Sequence, residues 1–124
     1  MNATQAIKEA DRRGYHCDES GKVYNPKGKE LSRFTYTRQY LAFSLRIGDK
    51  VFKIPVHRFV AFQLHGEVIF QDGVQVRHLD NVATNNSWHN IGFGTCHQNR
   101  MDIPKQTRIN RARHAAIQRW QGVA

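Results

Sequence analysis

The sequence predicts an α+β fold, on three observations. Two stretches rich in β-branched and aromatic residues are punctuated by turn residues, at Asn25-Pro26-Lys27-Gly28 and at Gly48-Asp49-Lys50, the pattern of β-hairpins. The run VHRFVAFQLH over residues 56–65 places Val56, Phe59, Val60 and Phe62 or Gln63 near helical spacing and stops at Gly66, a residue suited to a helix C-terminus. Two short apolar stretches at residues 74–79 and 91–94 then flank a long polar loop.

Taken in order, residues 4–13 predict a short polar helix whose only apolar side is Ala6, Ile7 and Ala10, too little to fix how it docks. Lys22-Val23-Tyr24 leads through the first turn to a strand over residues 30–37, and residues 39–47 and 51–55 form the second hairpin. After the helix at 56–65 and a turn at Asp72-Gly73 come the strand at 74–79, a loop over 80–90 and a brief strand at 91–94. Thr95 with Gln98 makes a capping box for a further helix. Pro104 suits the first turn of a last one, with Ile109, Ala112, Ala116 and Trp120 on one face and Arg108, Arg111 and Arg119 on the next. The chain of 124 residues has room for a single domain: an N-terminal extension at 1–20, a β-rich part with its helix at 21–66, a strand-loop-strand-helix unit at 74–102 and a basic C-terminal helix at 103–124.

Composition narrows the function. With 19 basic and 10 acidic residues the formal charge is +9, a field that concentrates the protein on a polyanion. The asymmetry is sharp: beyond Asp80 the only acid is Asp102, while Arg100, Lys105, Arg108, Arg111, Arg113 and Arg119 follow, as in an arm that grips a nucleic-acid backbone. Nucleic acid is therefore the expected partner. A membrane is not, because no apolar run approaches the roughly 20 residues that a span needs; residues 1–13 also lack the apolar core of a secretory signal, which leaves a cytoplasmic location. Cys17 and Cys96 read as two reduced thiols, and adjacent His16-Cys17 and Cys96-His97 pairs make poor chelates for one tetrahedral zinc.

Residues 76–102, VRHLDNVATNNSWHNIGFGTCHQNRMD, carry the chemistry. Hydrolysis of a phosphodiester needs a deprotonated water, stabilisation of charge on the phosphorus oxygens and help for the departing oxygen. A histidine takes a proton near neutral pH, and a divalent cation on hard oxygen ligands supplies the rest. This stretch resembles the HNH motif of phage and intron homing endonucleases, and VHRFVAF upstream resembles the segment that commonly precedes it. The matched positions are His78 ending the first strand, Asn85-Asn86 in the loop, Asn90-Ile91 entering the second strand and Asn99 on the helix.

The resemblance implies a ββα-metal (His-Me finger) centre that cuts duplex DNA with Mg²⁺ or Mn²⁺, in a phage homing endonuclease; a monomer is favoured, though the sequence does not fix the oligomeric state. It implies His78 as general base, Asn90 as the residue that holds the loop and so orients His78, and Asn99 as a metal ligand. One position departs from the family: many relatives carry a metal-binding Asp, Asn or His before the histidine, and here stands Arg77, which offers only donors and stays charged. Arg77 then serves DNA, and Asp80 is the substitute ligand, on the same side as His78 if the strand continues. The rival readings are a catalytically degraded HNH-fold protein that only binds DNA, and a phage packaging or structural accessory.

Other polar and aromatic residues read as structural. His57, at a helix start, caps or packs; Asn85 and Asn86 shape the loop without doing chemistry. Phe34, Tyr36, Tyr40 and Phe43 read as core, and Trp88 as stacking or exposed.

Overall fold

The computed structural model describes residues 2–36 and 39–95. The helices expected from Thr95 and Pro104 lie outside the described residues, together with Asn99, Asp102 and all six basic residues after Asp80.

The N-terminal helix α1 (Ala3–Arg12) is capped by Asn2 and Gln5, each side chain bonding the other's backbone N–H. Its three small apolar residues suffice for docking: Ala6, Ile7 and Ala10 are fully buried. The segment expected as an extension is thus part of the core. Two-residue strands β1 (His16–Cys17) and β2 (Val23–Tyr24) pair antiparallel, and β1 was not anticipated. The expected strand over 30–37 shrinks to β3 (Phe34–Thr35), on the edge of a sheet with β4 (Leu41–Ile47) and β5 (Lys50–Pro55). From Phe43 to Arg46, β4 alternates buried and exposed residues, which turns Phe43 and Leu45 to the core.

Pro55 ends β5 and enters α2 (Val56–His65), whose Val56, Phe59, Val60, Ala61 and Leu64 are buried; Gly66 closes it with its N–H donating to the Phe62 carbonyl. After a 3₁₀ turn (Gly66–Phe70), β6 (Gln75–His78) and β7 (Ile91–Gly94) form a third antiparallel pair in the register His78 to Ile91. A second 3₁₀ turn (Trp88–Asn90) precedes β7. Helices α1 and α2 pack on the β4–β5 hairpin, and the β6–β7 pair lies against α2. Phe43 meets Phe59 edge to face, ring centroids 5.2 Å apart, at the centre of the core. Among the described residues no helix is long and apolar enough to cross a membrane.

Because Phe43 is wholly enclosed, Phe43→Ala is expected to lower the unfolding free energy by about 3–5 kcal/mol in denaturant titrations, and Val51→Ala, at a side chain 61% exposed, by under about 0.5 kcal/mol.

Candidate active site

His78 ends β6 and faces inward, only 5% exposed. Its Nε2 lies 2.7 Å from Oδ1 of Asn86, which is also buried. With the amide oxygen turned to the ring, Nε2 carries the proton and donates it, and Nδ1 is left with the lone pair. Nδ1 has no hydrogen-bond partner among the described residues. Burial lowers the pKa of His78, outweighing the hydrogen bond that the ring donates to Asn86 and the charge of Asp80, which raise it. The imidazole is therefore a neutral base with one nitrogen fixed.

The loop that presents Asn86 is closed by three side chains. Asn90 is buried; its Oδ1 accepts from the Asp80 N–H at 3.1 Å, and its Nδ2 donates to Asp80 Oδ1 at 2.9 Å and to the Asn85 carbonyl at 2.8 Å. Asp80 Oδ1 also accepts from the Val82 N–H, and Oδ2 accepts from Asn85 Nδ2 at 2.7 Å. Burial raises the Asp80 pKa, but the donors from Asn85, Val82 and Asn90 prevail and hold it below the usual carboxylate value. The Asn90 side chain thus bonds across the loop to Asp80 and Asn85, and the side chain hydrogen-bonded to the His78 ring is that of Asn86. The strand also stops sooner than expected. The Asn81 N–H turns back to the His78 carbonyl and Asn81 takes φ 62°, so Asp80 lies in a turn and not on a continuing strand.

The N-terminal segment braces this loop from outside. The Trp88 N–H donates to the Glu19 carbonyl at 2.9 Å, and its indole Nε1 donates to Cys17 Sγ at 3.1 Å. Trp88 is buried, so the stacking or exposed role is corrected. Burial pushes the Cys17 thiol up to about 12, which makes it a packed and unreactive group while His16 points out of the same strand. Gly21 sits at φ 86° so close to the loop that a Cβ there would lie 2.5 Å from the Asn86 carbonyl oxygen. Both facts admit only glycine.

On its other side His78 meets two rings that the sequence reading assigned elsewhere. Tyr40 stacks on His57 at 4.7 Å and on His78 at 5.8 Å, and the two imidazoles are 5.3 Å apart. Tyr40 therefore belongs to the site as well as to packing, and Tyr36, 49% exposed, is not core. Burial, then the neighbouring His78 and Arg58, lower the His57 pKa to about 4. Neither residue carries a local signal, because both reach His78 only through tertiary packing. Arg77, on the opposite face of β6 from His78, donates to Asn81 Oδ1 at 3.2 Å. It lines, with Tyr40, His78 and Asn81, a pocket of about 230 Å³ beside the imidazole.

No protein-family model and no curated protein matches the chain. Among solved structures it is similar to one described as DNA binding and cleavage by the HNH homing endonuclease I-HmuI, with 28% identity and a TM-score of 0.57 over 75% of this chain. The chain spans about half of that one, 53% of its length. The fold is thus mixed α and β with small antiparallel sheets, similar to that of an HNH endonuclease.

Two measurements check this geometry. Nitrogen NMR of the imidazole is expected to show the Nε2-protonated tautomer for His78, with that preference lost in Asn86→Ala and disturbed in Gly21→Ala. A lowered His57 pKa means that the unfolded chain binds a proton between the ordinary value near 6.5 and the folded value of about 4. Stability present at neutral pH is accordingly lost as pH falls through that window, by on the order of 3 kcal/mol from this group. His57→Phe is expected to flatten the thermal-melt dependence on pH there; an unchanged slope would assign the loss to other groups.

Proposed function

We propose that this chain is a metal-dependent DNA endonuclease of the HNH type, hydrolysing phosphodiester bonds in duplex DNA. The observation that carries the reading is the buried His78, its Nε2 fixed by Asn86 and its Nδ1 unclaimed, within a strand-loop-strand that resembles the family motif. The structural likeness to an HNH homing endonuclease supports it.

In this mechanism Nδ1 of His78 takes the proton of the attacking water, and Asn86 keeps the ring from rotating or changing tautomer as the charge develops. Tyr40 and His57 wall the ring on the side away from the loop. Asn90 and Asp80 hold the loop that holds Asn86. Arg77 contributes a charge-assisted contact to a phosphate near the cut. The basic residues Arg100, Lys105, Arg108, Arg111, Arg113 and Arg119 grip the backbone around it.

Among the described residues no cluster of three or more His, Cys, Asp or Glu side chains could hold a metal ion, so the reading rests on a single carboxylate and a hard cation that keeps much of its water. Mg²⁺ or Mn²⁺ is commonly held by one or two carboxylates with water completing the shell. Asp80 is the carboxylate at the site; Oδ1 already accepts twice and Oδ2 once, which leaves a lone pair of Oδ2 for an ion, and Asn99 supplies an amide oxygen in the family pattern. When bound, such an ion stabilises charge on the phosphorus oxygens and the departing 3′ oxygen. Arg77 favours a second reading, a protein of this fold that binds DNA without cutting it, because a fixed cation at that position opposes metal binding.

Incubation of supercoiled plasmid with the protein is expected to give nicked or linear product with Mg²⁺ or Mn²⁺ and none in EDTA. His78→Ala is expected to abolish cleavage and spare DNA binding. Cleavage retained by His78→Ala would refute the assignment, and salt-sensitive binding without cleavage by the intact protein would establish the second reading.

A further inference from the structure

A groove of about 540 Å³ opens next to the His78 pocket and shares Tyr40, Val76 and Arg77 with it. Its far wall is His57 and Arg58, from the first turn of α2. Two arginines thus line one groove. Neither forms an ion pair among the described residues: Arg77 donates to the neutral Asn81 amide, and Arg58 lies over the Phe70 ring at 5.6 Å. The first turn of α2 holds no acidic residue, and its start has no side-chain cap, so the positive end of the helix adds to the field. Like charges facing one cleft in this way are stabilised by an anion between them.

We propose that this groove holds the phosphate next to the one that is cut, gripped between Arg58 and Arg77. The inference rests on the DNA-cleaving reading above and adds a residue, Arg58, and a direction along the strand. The two cavities are neighbours: they share lining residues, and the His57 ring of one stands 5.3 Å from the His78 ring of the other. On this proposal a phosphate at His78 has its neighbour in the groove that Tyr40 and His57 line. Arg58 is the anchor at the far side, and Arg77, which lines both cavities, is shared.

The test compares the intact chain with Arg58→Gln, which keeps a polar side chain and removes the charge, and with Arg58→Lys, which keeps the charge. Binding to a short duplex is measured in EDTA over a range of salt, after thermal melts have shown each variant folded. Arg58→Gln is expected to bind roughly tenfold more weakly at low salt and to reduce the slope of log affinity against log salt by about one, with Arg58→Lys restoring the slope. Where the chain cuts at a mapped position, replacing the adjacent phosphate by a neutral methylphosphonate is expected to slow the intact protein and to have little further effect on Arg58→Gln. An unchanged slope in Arg58→Gln overturns the groove assignment, even if plasmid is still nicked. A reduced slope in a protein that never nicks plasmid keeps the groove and overturns the catalytic reading instead. Absence of any salt-sensitive DNA binding overturns both.

Discussion

The hydrogen bond between His78 and Asn86 is the contact on which the site depends, and most of the molecule around it serves to hold its two ends. The imidazole end is set by β6 and walled by Tyr40 and His57. The amide end sits in a loop with little regular structure, where nothing intrinsic would keep a buried side chain in place. Asp80, Asn85 and Asn90 close that loop on itself by hydrogen bonds, and the β1–β2 hairpin presses on it from outside through Gly21. A buried polar pair of this kind is costly if either partner shifts, because both are out of reach of water. Its position is therefore secured from several directions.

Electrostatics follow from the same enclosure. Two imidazoles in contact cannot both be charged at modest cost, and burial already disfavours charge on each. Both remain neutral at neutral pH, and the positive charge near them is carried by Arg58 and Arg77. Functions that compete on one side chain are thus divided between neighbours: a neutral base and permanent cations, a few ångströms apart.

Much of the fold was legible in the sequence, for physical reasons that also explain the exceptions. The β4–β5 hairpin, α2 and the β6–β7 pair follow from alternation, helical spacing and turn residues, all of which are local. β1 was not legible, since His16 and Cys17 pair with β2 only because Trp88 and Gln63 bind Cys17 from far along the chain. The docking of α1 turned on shape, as two alanines let the helix approach closely enough to bury Ile7. Within the site, the resemblance implied that Asn90 orients His78, whereas the side chain bonded to the ring is that of Asn86. Asn86 and Asn90 are the same residue type in one loop, and which of them reaches the ring depends on how the loop closes. Tyr40 and His57 were legible only as packing residues, which they also are.

The bond from the Trp88 indole to Cys17 joins residues 71 positions apart. Contacts of such long sequence separation form late and slowly, and a two-stranded unit such as β6–β7 has little stability alone. On the ribosome, α1 and the β1–β2 hairpin emerge well before the loop that they brace. The early segments must therefore wait with one face unfilled, and a chain interrupted before Trp88 holds only half of the histidine's setting. The setting of the imidazole is therefore complete only when segments from both ends of the described chain are present and packed together.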